Sequence, residues 1–311
     1  MNNLTLKQMR YVDALVRQGH FGRAAEACAV SQPALSMQIK TLEQSLGLPL
    51  FERGAREVRP TAFGEAFVAR VRDILRAVDE LADLARAADG QLVGRLRLGV
   101  IPTVAPYLLP RIIGDLTAAH AGLDLHMRET VTPRLIGELA EGRLDAAIVA
   151  LPVSEPSLVE VALFSETFVL VRPAEDALRP VPDAEALREM RLLLLEEGHC
   201  FRDQALSFCQ MQATSPRELL DGSSLTTLVQ MVGAGIGVTL IPEMAVAVET
   251  RLARVSVARF RPPEPQRTIG MIWRRSSPLG PQLSRVAAIV RSAAEGLRTA
   301  HPASFTASIA T

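Results

Sequence analysis

Short apolar runs alternate with helical patterns along most of this chain after residue 90. The runs typical of buried strands are RLRLGVI (95–101), LDLHMRE (123–129), DAAIVAL (145–151), FVLVRP (168–173), RLLLLEE (191–197), GVTLIP (237–242) and TIGMIW (268–273). The helical patterns between them cover residues 107–119, 133–142, 184–190 and 224–234. This alternation predicts a parallel sheet with helices on both faces. The region is long enough for two subdomains, and the cleft between them would be the usual place for a ligand.

The first sixty residues carry a different pattern, which predicts three short helices. The first helix is expected to end at Gly19, the second covers 23–29, and the third begins after Ser31 and ends at Gly47. Two short helices joined by a tight turn are typical of a helix-turn-helix. The segment LFERGAREVRPT (50–61) is basic and bracketed by β-prone residues, so it suits a two-stranded wing.

Charge gives this N-terminal region a local character that the whole chain lacks. The chain holds 34 Lys and Arg against 34 Asp and Glu, so no bulk charge points to a nucleic acid or a membrane. Residues 1–60 nevertheless carry a net charge of +3, and Arg53, Arg56 and Arg59 cluster in the predicted wing. An ordinary solvated surface could carry the same excess. Together with the helix spacing, it favours binding to the phosphates of double-stranded DNA.

One long helix is predicted over residues 61–89, with Thr61 as its N-cap. Apolar residues recur there at alternating steps of three and four, and the positions are Val71, Ile74, Val78, Leu81, Ala85 and Ala88. Such a seam is typical of a helix that pairs with a second chain. The core of a single chain could bury the same stripe. Because the helix follows a DNA-binding unit, we expect a dimer whose two copies read two half-sites.

The chain has three cysteines, which are too few for a disulfide scaffold at this length. The first residues do not resemble a signal peptide, and no apolar run is long enough to span a bilayer. We therefore expect a cytoplasmic protein with no membrane partner. Cys28 lies in the apolar segment AAEACAV, where it fits a small buried hydrophobe.

The other two cysteines lie close together in GHCFRDQALSFC (198–209). A metal site is disfavoured because the adjacent side chains of His199 and Cys200 rarely converge on one ion, and no C-x-x-C pair is present. The glycines of GAGIG (233–237) follow a helix and precede a strand, the reverse of a phosphate-binding loop. We therefore expect no metal and no cofactor.

Cys209 alone could be core, whereas Cys200 lies where a strand gives way to a helix, whose N-terminal amides can stabilise a thiolate. From these residues, burial and redox chemistry both remain open.

Several segments resemble one known family along the full length of the chain. FGRAAEACAVSQPALSMQIKTLEQSLGLPLFER (21–53) is similar to the winged helix-turn-helix of the LysR-type transcriptional regulators. IPTVAPYLLP (101–110), LLEEGHCFRDQALSFC (194–209) and QRTIGMIWRRSSPL (266–279) resemble its hydrogen-peroxide-sensing branch, to which the GHCxRDQxxxxxC pattern is specific. The resemblance implies an all-α winged helix-turn-helix domain, a long linker helix and an α/β effector domain of two subdomains, similar to periplasmic binding proteins. The expected boundaries are 1–60, 61–89 and 90–305, with subdomain I at about 90–163 and 268–300 and subdomain II at about 164–267.

The same resemblance implies roles for individual residues. Cys200 would react with peroxide, and Cys209 would then form a disulfide with it. The residues implied around the sulfur are Thr103, Thr132, His199, Arg202, Asp203 and Arg267, where Thr130 competes with Thr132 and the spacing to LDA favours Thr132. The residues implied at the DNA are Ser31, Gln32, Pro33, Ala34, Ser36, Lys40 and Arg53. Over residues 210–223 the correspondence is uncertain, because relatives differ in length there.

The function implied is that of an activator of oxidative-stress defence genes, not an enzyme. Its expected partners are promoter DNA, further copies of itself in a homodimer or homotetramer, and RNA polymerase, with hydrogen peroxide as the signal. If residues 200–209 form one helix, the two cysteine α-carbons lie roughly 13.5 Å apart. A disulfide needs about 4.4–6.8 Å, so closing it must unwind the segment. The alternatives are a metabolite-responsive LysR regulator with passive cysteines and, third, a thiol peroxidase.

Overall fold

The structure is a computed structural model that describes residues 4–52, 58–88, 92–209 and 221–300. The chain divides into two compact units, Met1–Ala85 and Arg86–Thr311. The boundary between the units falls inside the long helix that the apolar seam predicts, so most of that helix is counted with the N-terminal unit. None of the helices within the described ranges is long and apolar enough to cross a membrane.

The N-terminal unit is built from helices around one apolar core. Its elements are α1 (Leu6–Gln18), α2 (Phe21–Ala27), α3 (Gln32–Leu46) and α4 (Ala62–Ala88). Gly19 and Gly47 end α1 and α3 in the left-handed region, with φ of 59° and 73°, which a residue without a Cβ adopts at little cost. Phe51 and Pro60 form an antiparallel bridge at the base of the predicted wing.

The second helix starts and ends two residues earlier than the sequence predicts. The ring Nδ1 of His20 accepts a hydrogen bond from the backbone N–H of Gly22 at 3.0 Å, so His20 caps α2 and Phe21 begins it. Cys28 follows the last helical residue, and Ala29 has a φ of 53°. The turn into α3 therefore starts at Cys28, which a search for Gly or Pro does not detect.

The second unit is an α/β fold with one nine-stranded sheet. Its first elements are β1 (Gly94–Val100), α5 (Ala105–Ala119), β2 (Leu123–Glu129), α6 (Thr132–Ala140), β3 (Ala146–Leu151) and β4 (Leu158–Pro173). Then follow α7 (Ala184–Glu189), β5 (Leu192–Leu195), α8 (Cys200–Phe208), β6 (Asp221–Gly222), α9 (Leu225–Gly233) and β7 (Val238–Pro242). The last are α10 (Val246–Glu249), β8 (Val255–Arg259), β9 (Gln266–Arg274) and α11 (Gly280–Ala300).

The sheet is mixed, whereas the sequence pattern predicts a parallel one. Strands β2, β1 and β3 are parallel neighbours, and so are β7, β5 and β6. The long strands β4 and β9 pair antiparallel with each other, and they link these two groups through further antiparallel pairs. Strand β4 follows β3 through a short loop without a helix, so the chain has no crossover that would return it parallel.

Two separate hydrophobic cores divide this unit into subdomains. The first core contains Leu98, Ile148 and Leu283, and the second contains Leu193 and Val229. The side chains of β4 change from the first core to the second between Phe164 and Phe168. Strands β4 and β9 therefore run through both subdomains and connect them.

Candidate functional site

The two cysteines of the GHCFRDQALSFC segment lie at opposite ends of α8. Cys200 is the first residue of this nine-residue helix, and Cys209 directly follows its last residue. Both are reduced. Cys200 is half-buried and packs against the first core, whereas Cys209 is fully buried within the second core. The described chain thus holds the two thiols apart, each against a different subdomain.

A small pocket surrounds the Cys200 side chain. Its lining consists of Ile101, Pro102, Thr103, Val131, Thr132, His199, Cys200 and Phe201. Of the two threonines that the sequence leaves in competition, Thr132 lines this pocket and begins α6. Thr130 is outside the lining, and its backbone N–H donates to the carbonyl of Val100. Cys200 begins α8, where the aligned backbone dipoles of the helix favour a negative charge.

The hydroxyl groups of Thr103 and Thr132 give the pocket its polar side. Arg267 donates from one terminal nitrogen to Thr103 Oγ1 at 2.8 Å and from the other to the Thr103 carbonyl oxygen at 3.2 Å. Because arginine offers no acceptor, the hydroxyl hydrogen of Thr103 must point elsewhere. Thr132 Oγ1 is buried and has no hydrogen-bond partner within the described part of the chain. Both hydroxyls therefore keep hydrogen-bonding capacity for a further partner.

Arg267 is itself held by a residue that the sequence analysis does not single out. Glu166 of β4 lies directly opposite Arg267 in the β4–β9 ladder. Its Oε1 accepts from Arg267 Nε at 2.8 Å and lies 2.7 Å from a terminal nitrogen of the same guanidinium. Both side chains are almost completely buried, at 6% and 0% exposure. The signal in the sequence is an acidic residue at the start of a strand-like run, SETFVLV, but no pattern pairs it with Arg267.

Burial disfavours the charged form of the Glu166 carboxyl. It raises the pKa of the Glu166 carboxyl, and the neighbouring Arg267 guanidinium opposes this rise. The guanidinium also lies 5.3 Å from the ring centroid of Phe201 and 6.0 Å from that of Phe168. Arg267 therefore contacts two residues of the pocket lining, Thr103 and Phe201, while its charge is balanced by Glu166.

The other three residues expected around the sulfur differ in their placement. His199 lines the pocket, but burial lowers the pKa of its imidazole, so the ring is neutral at pH 7 and brings no positive charge. Arg202 is two positions after Cys200, about 200° further around the helix, and points away from the pocket. It donates to the Leu195 carbonyl at 2.9 Å and pairs with Asp221 at 2.5 Å. Asp203 is exposed on α8, also outside the lining.

The remaining two thiols are surrounded mainly by apolar groups. Burial raises the pKa of Cys209 to about 11, and Arg188 opposes the shift only in part. The Cys209 thiol is therefore protonated at neutral pH. Arg188 of α7 donates from Nε to the carbonyl oxygen of Cys209. In the N-terminal unit, Cys28 packs half-buried against the core, and burial raises its pKa as well.

Helix α3 presents one apolar face and one exposed polar face. Leu35, Ile39 and Leu42 are buried on the first. The predicted DNA-contacting residues on the exposed face are Ser31, Gln32, Pro33, Ser36 and Lys40, and Ala34 beside them is half-buried. Ser31 occupies the N-cap position, yet its side chain makes no capping hydrogen bond. Arg53 and Arg56 lie outside the described residues, while Arg59 is described and exposed.

The predicted seam on α4 is exposed over only part of its length. Ile74 and Leu81 are 42% and 66% exposed, and Val78 is half-buried. Val71 is buried at 1% exposure and so has little surface for a second chain. Two apolar residues of α4 that the sequence analysis does not name as dimer contacts, Phe63 and Leu84, are also exposed, at 38% and 57%. Large exposed apolar side chains in a row are typical of an interface.

The described residues in and beside the pocket offer a thiol, two hydroxyls, an imidazole and the buried pair of Glu166 and Arg267. No group of three His, Cys, Asp or Glu side chains in the described ranges could hold a metal ion. A half-buried thiol, two hydroxyls and a nearby guanidinium suit a small oxygen-rich oxidant.

Comparison with known proteins gives matches over nearly the whole chain. The family described as "LysR substrate binding domain" matches residues 89–295, and "Bacterial regulatory helix-turn-helix protein, lysR family" matches residues 6–65. A probable hydrogen peroxide-inducible genes activator of Streptomyces viridosporus is 42% identical over 297 residues, covering 94% of this chain and 95% of the relative.

Solved structures give the same picture. A full-length OxyR variant from Pseudomonas aeruginosa is 38% identical with a TM-score of 0.74, covering 94% of this chain and 96% of that chain. A hydrogen peroxide-bound OxyR mutant from Corynebacterium glutamicum is 33% identical with a TM-score of 0.66, covering 95% of this chain and 94% of that chain.

Proposed function

Because this chain belongs to the LysR family of bacterial transcriptional regulators, in its OxyR branch, we propose that it activates genes in response to hydrogen peroxide. The observation that carries this proposal is a reduced Cys200 at the start of α8, in a pocket with the hydroxyls of Thr103 and Thr132. The proposal makes the chain a sensor and not an enzyme, acting in the cytoplasm on promoter DNA.

The first chemical step is oxidation of Cys200. Its thiolate attacks one oxygen of hydrogen peroxide, the O–O bond breaks, and a sulfenic acid forms while hydroxide leaves and takes up a proton to become water. In this proposal Thr103 and Thr132, which line the pocket, hold the peroxide beside the sulfur and donate hydrogen bonds to the departing oxygen. Cys200 is the first residue of α8, where the free backbone N–H groups can donate hydrogen bonds to an anion.

The second step joins Cys200 to Cys209. The Cys209 thiol attacks the sulfenic sulfur, the S–O bond breaks, and a disulfide and water form. As one helix, the segment separates the two α-carbons by roughly 13.5 Å. The disulfide needs about 4.4–6.8 Å, so α8 must unwind. Chain entropy makes a ring of this size worth only about 2.5–3 kcal/mol, which keeps the two states close in free energy.

The unwinding of α8 supplies a structural signal. Phe201, Leu206 and Cys209 are buried in the second core and lose or change their packing when the helix opens. We infer that this rearranges the contacts between copies of the chain in a homodimer or in a tetramer built as a dimer of dimers. The exposed seam of α4 supports pairing of two chains. The paired α3 helices then contact DNA in a different arrangement, and RNA polymerase responds to that change at the promoter.

Mapping of the thiols by mass spectrometry tests this function. After treatment with one equivalent of hydrogen peroxide, the wild type should contain a Cys200–Cys209 disulfide. Cys209→Ser should stop at a sulfenic or more oxidised Cys200, and Cys28→Ser should behave as the wild type. A turnover assay with peroxide and a thiol donor separates this sensor from a thiol peroxidase, which would consume many peroxide molecules per chain. A full peroxide response in Cys200→Ser would overturn the proposed role of Cys200, and the absence of any peroxide response in the wild type would favour a metabolite-responsive regulator.

A further inference from the structure

We propose that Glu166 is a positioning residue for the reaction of Cys200 with peroxide, because it fixes the guanidinium of Arg267 that orients Thr103. The inference rests on the proposed function and adds to it a residue that does not itself line the pocket. Glu166 would act only through Arg267.

The contact between Glu166 and Arg267 is unusually well defined. The two residues are direct cross-strand partners in the β4–β9 ladder, so the backbone fixes their relative position. One carboxylate oxygen meets two nitrogens of the guanidinium, Nε at 2.8 Å and a terminal nitrogen at 2.7 Å. Both contacts meet the same carboxylate oxygen, so they hold that edge of the guanidinium group beside Glu166.

The opposite end of Arg267 reaches the pocket. Its terminal nitrogens donate to Thr103 at both the hydroxyl and the carbonyl oxygen. Its face lies against the ring of Phe201, which follows the reactive cysteine in α8. The position in which Glu166 holds Arg267 therefore sets where the Thr103 hydroxyl and the Phe201 ring lie beside Cys200.

Energetics argue that this ion pair is kept for geometry. Burying both charges costs several kcal/mol of hydration each, and an apolar pair of similar volume at such a site is often equally stable or more so. Burial also raises the pKa of Glu166, which shows that the environment disfavours its charge. A buried guanidinium group needs an opposite charge close by. The carboxylate is thus the one group on the β4–β9 ladder that both balances and aligns Arg267.

Peroxide and a bulky alkylating agent place different demands on Cys200. Peroxide must be held by the pocket hydroxyls while its O–O bond breaks, so its reaction depends on the place of Thr103. Iodoacetamide has a good leaving group and needs only an accessible thiolate. Loss of Glu166 should therefore slow the reaction with peroxide and spare alkylation. A merely structural role would change both rates together.

The experiment uses the full chain with Cys28→Ser and Cys209→Ser, so that Cys200 is the reporting thiol. In Glu166→Gln, which keeps the shape and removes the charge, the second-order rate constant with hydrogen peroxide should fall roughly 10- to 100-fold. Alkylation by iodoacetamide should be unchanged. Glu166→Asp, which restores the charge, should recover part of the peroxide rate. Glu160→Gln is the matched control on the same strand, and Glu160 binds the backbone N–H groups of Val153 and Ser154 instead.

Each outcome decides the proposal. An unchanged peroxide rate in Glu166→Gln overturns it, and so does an equal loss of both rates. If Glu166→Gln does not fold, Glu166→Asp decides in its place: a selective loss with peroxide supports the proposal, and wild-type rates overturn it. Failure of the proposed function is distinguishable, because Cys200 would then react slowly with peroxide in the parent chain before any change at Glu166.

Discussion

Arg188 donates a hydrogen bond from Nε to the backbone carbonyl of Cys209 at 2.7 Å, so a side chain of α7 holds the C-terminal end of α8. The carbonyls of a last helical turn lack partners within their own helix, and a cation there is favourable. If the proposed disulfide forms by movement of Cys209 toward Cys200, this contact has to break.

Replacing Arg188 should therefore speed the closing of the disulfide. Arg188→Met keeps the apolar stem but removes the hydrogen bond from the charged donor. This should destabilise the intact C-terminal end of α8 by about 1.5–3 kcal/mol. We expect sulfenic acid to convert to disulfide roughly tenfold faster or more, while the first reaction with peroxide keeps its rate. Stopped-flow detection of sulfenic acid measures both steps, and slower closure would contradict the contact's role. Arg191→Met is the control on the neighbouring segment.

The oxidised protein should exchange the backbone hydrogens of residues 201–208 faster than the reduced protein. Helical hydrogen bonds protect the amides of the second half of α8 now, and the disulfide distance cannot be met while the helix is intact. Hydrogen exchange followed by mass spectrometry measures the change. Peroxide-treated Cys209→Ser serves as the control and should remain protected. A Cys200–Cys209 disulfide with unchanged exchange over 201–208 would contradict the unwinding.

The exposed seam of α4 should hold two chains together. The double change Ile74→Asp with Leu81→Asp puts charge into that seam and should dissociate the oligomer into smaller species. Light scattering measures the mass, and circular dichroism checks the fold. Ile74→Leu with Leu81→Met keeps the seam apolar and should keep the mass. An unchanged mass in the folded Asp variant would mean that the seam has another role.

The two kinds of predicted DNA contact should respond differently to mutation. Gln32 is exposed at the start of α3, so Gln32→Ala should alter the preference among base sequences. Arg53→Ala should weaken binding to all sequences similarly and flatten the dependence on salt by the loss of about one phosphate contact. Titrations on duplexes selected from a random pool, at several salt concentrations, measure both. Loss of sequence preference in Arg53→Ala alone would contradict this division.

The buried Cys209 thiol should make folding stability fall at alkaline pH. Its folded pKa is about 11. In the unfolded chain the value is about 8.5, so between these limits the unfolded state binds fewer protons than the folded state. The free energy of unfolding therefore decreases as pH rises through this window. Denaturant titrations should show a steeper decrease for the wild type than for Cys209→Ala. Parallel curves would mean that the folded thiol titrates like an unfolded one.

Local features of the fold could be predicted from the sequence because local physics decides them. Periodic apolar residues and capping groups place α3 after Ser31 and the long helix near 61–89, close to the observed Gln32–Leu46 and Ala62–Ala88. Cys200 was expected where a strand gives way to a helix, and it begins α8. The direction of β4 and β9 could not be derived in this way, because strand pairing depends on contacts between distant segments.

The site residues likewise fall into those that could be predicted from the sequence and those that could not. Thr103, Thr132, His199 and Cys200 line one pocket, as the family resemblance implies. The resemblance could predict this because it carries over an arrangement of residues that are distant in sequence. Arg202 differs, because nearness in sequence does not determine the direction of a side chain on a helix. Glu166 was missed for the opposite reason: its partner Arg267 is far away in sequence, and only the register of two strands brings them together.

Because Cys209 is buried in the second core, the proposed sensor should form its disulfide only after a delay. Oxidation of Cys200 follows the peroxide concentration, whereas attack by Cys209 has to wait until the helix end opens and exposes its thiol. A pulse of peroxide shorter than this waiting time leaves a sulfenic acid that small thiols can reduce before transcription changes. A longer exposure outlasts the wait and locks the disulfide. In the proposed sensor, the delay before the disulfide forms would make gene expression follow a sustained level of oxidant and not a brief burst.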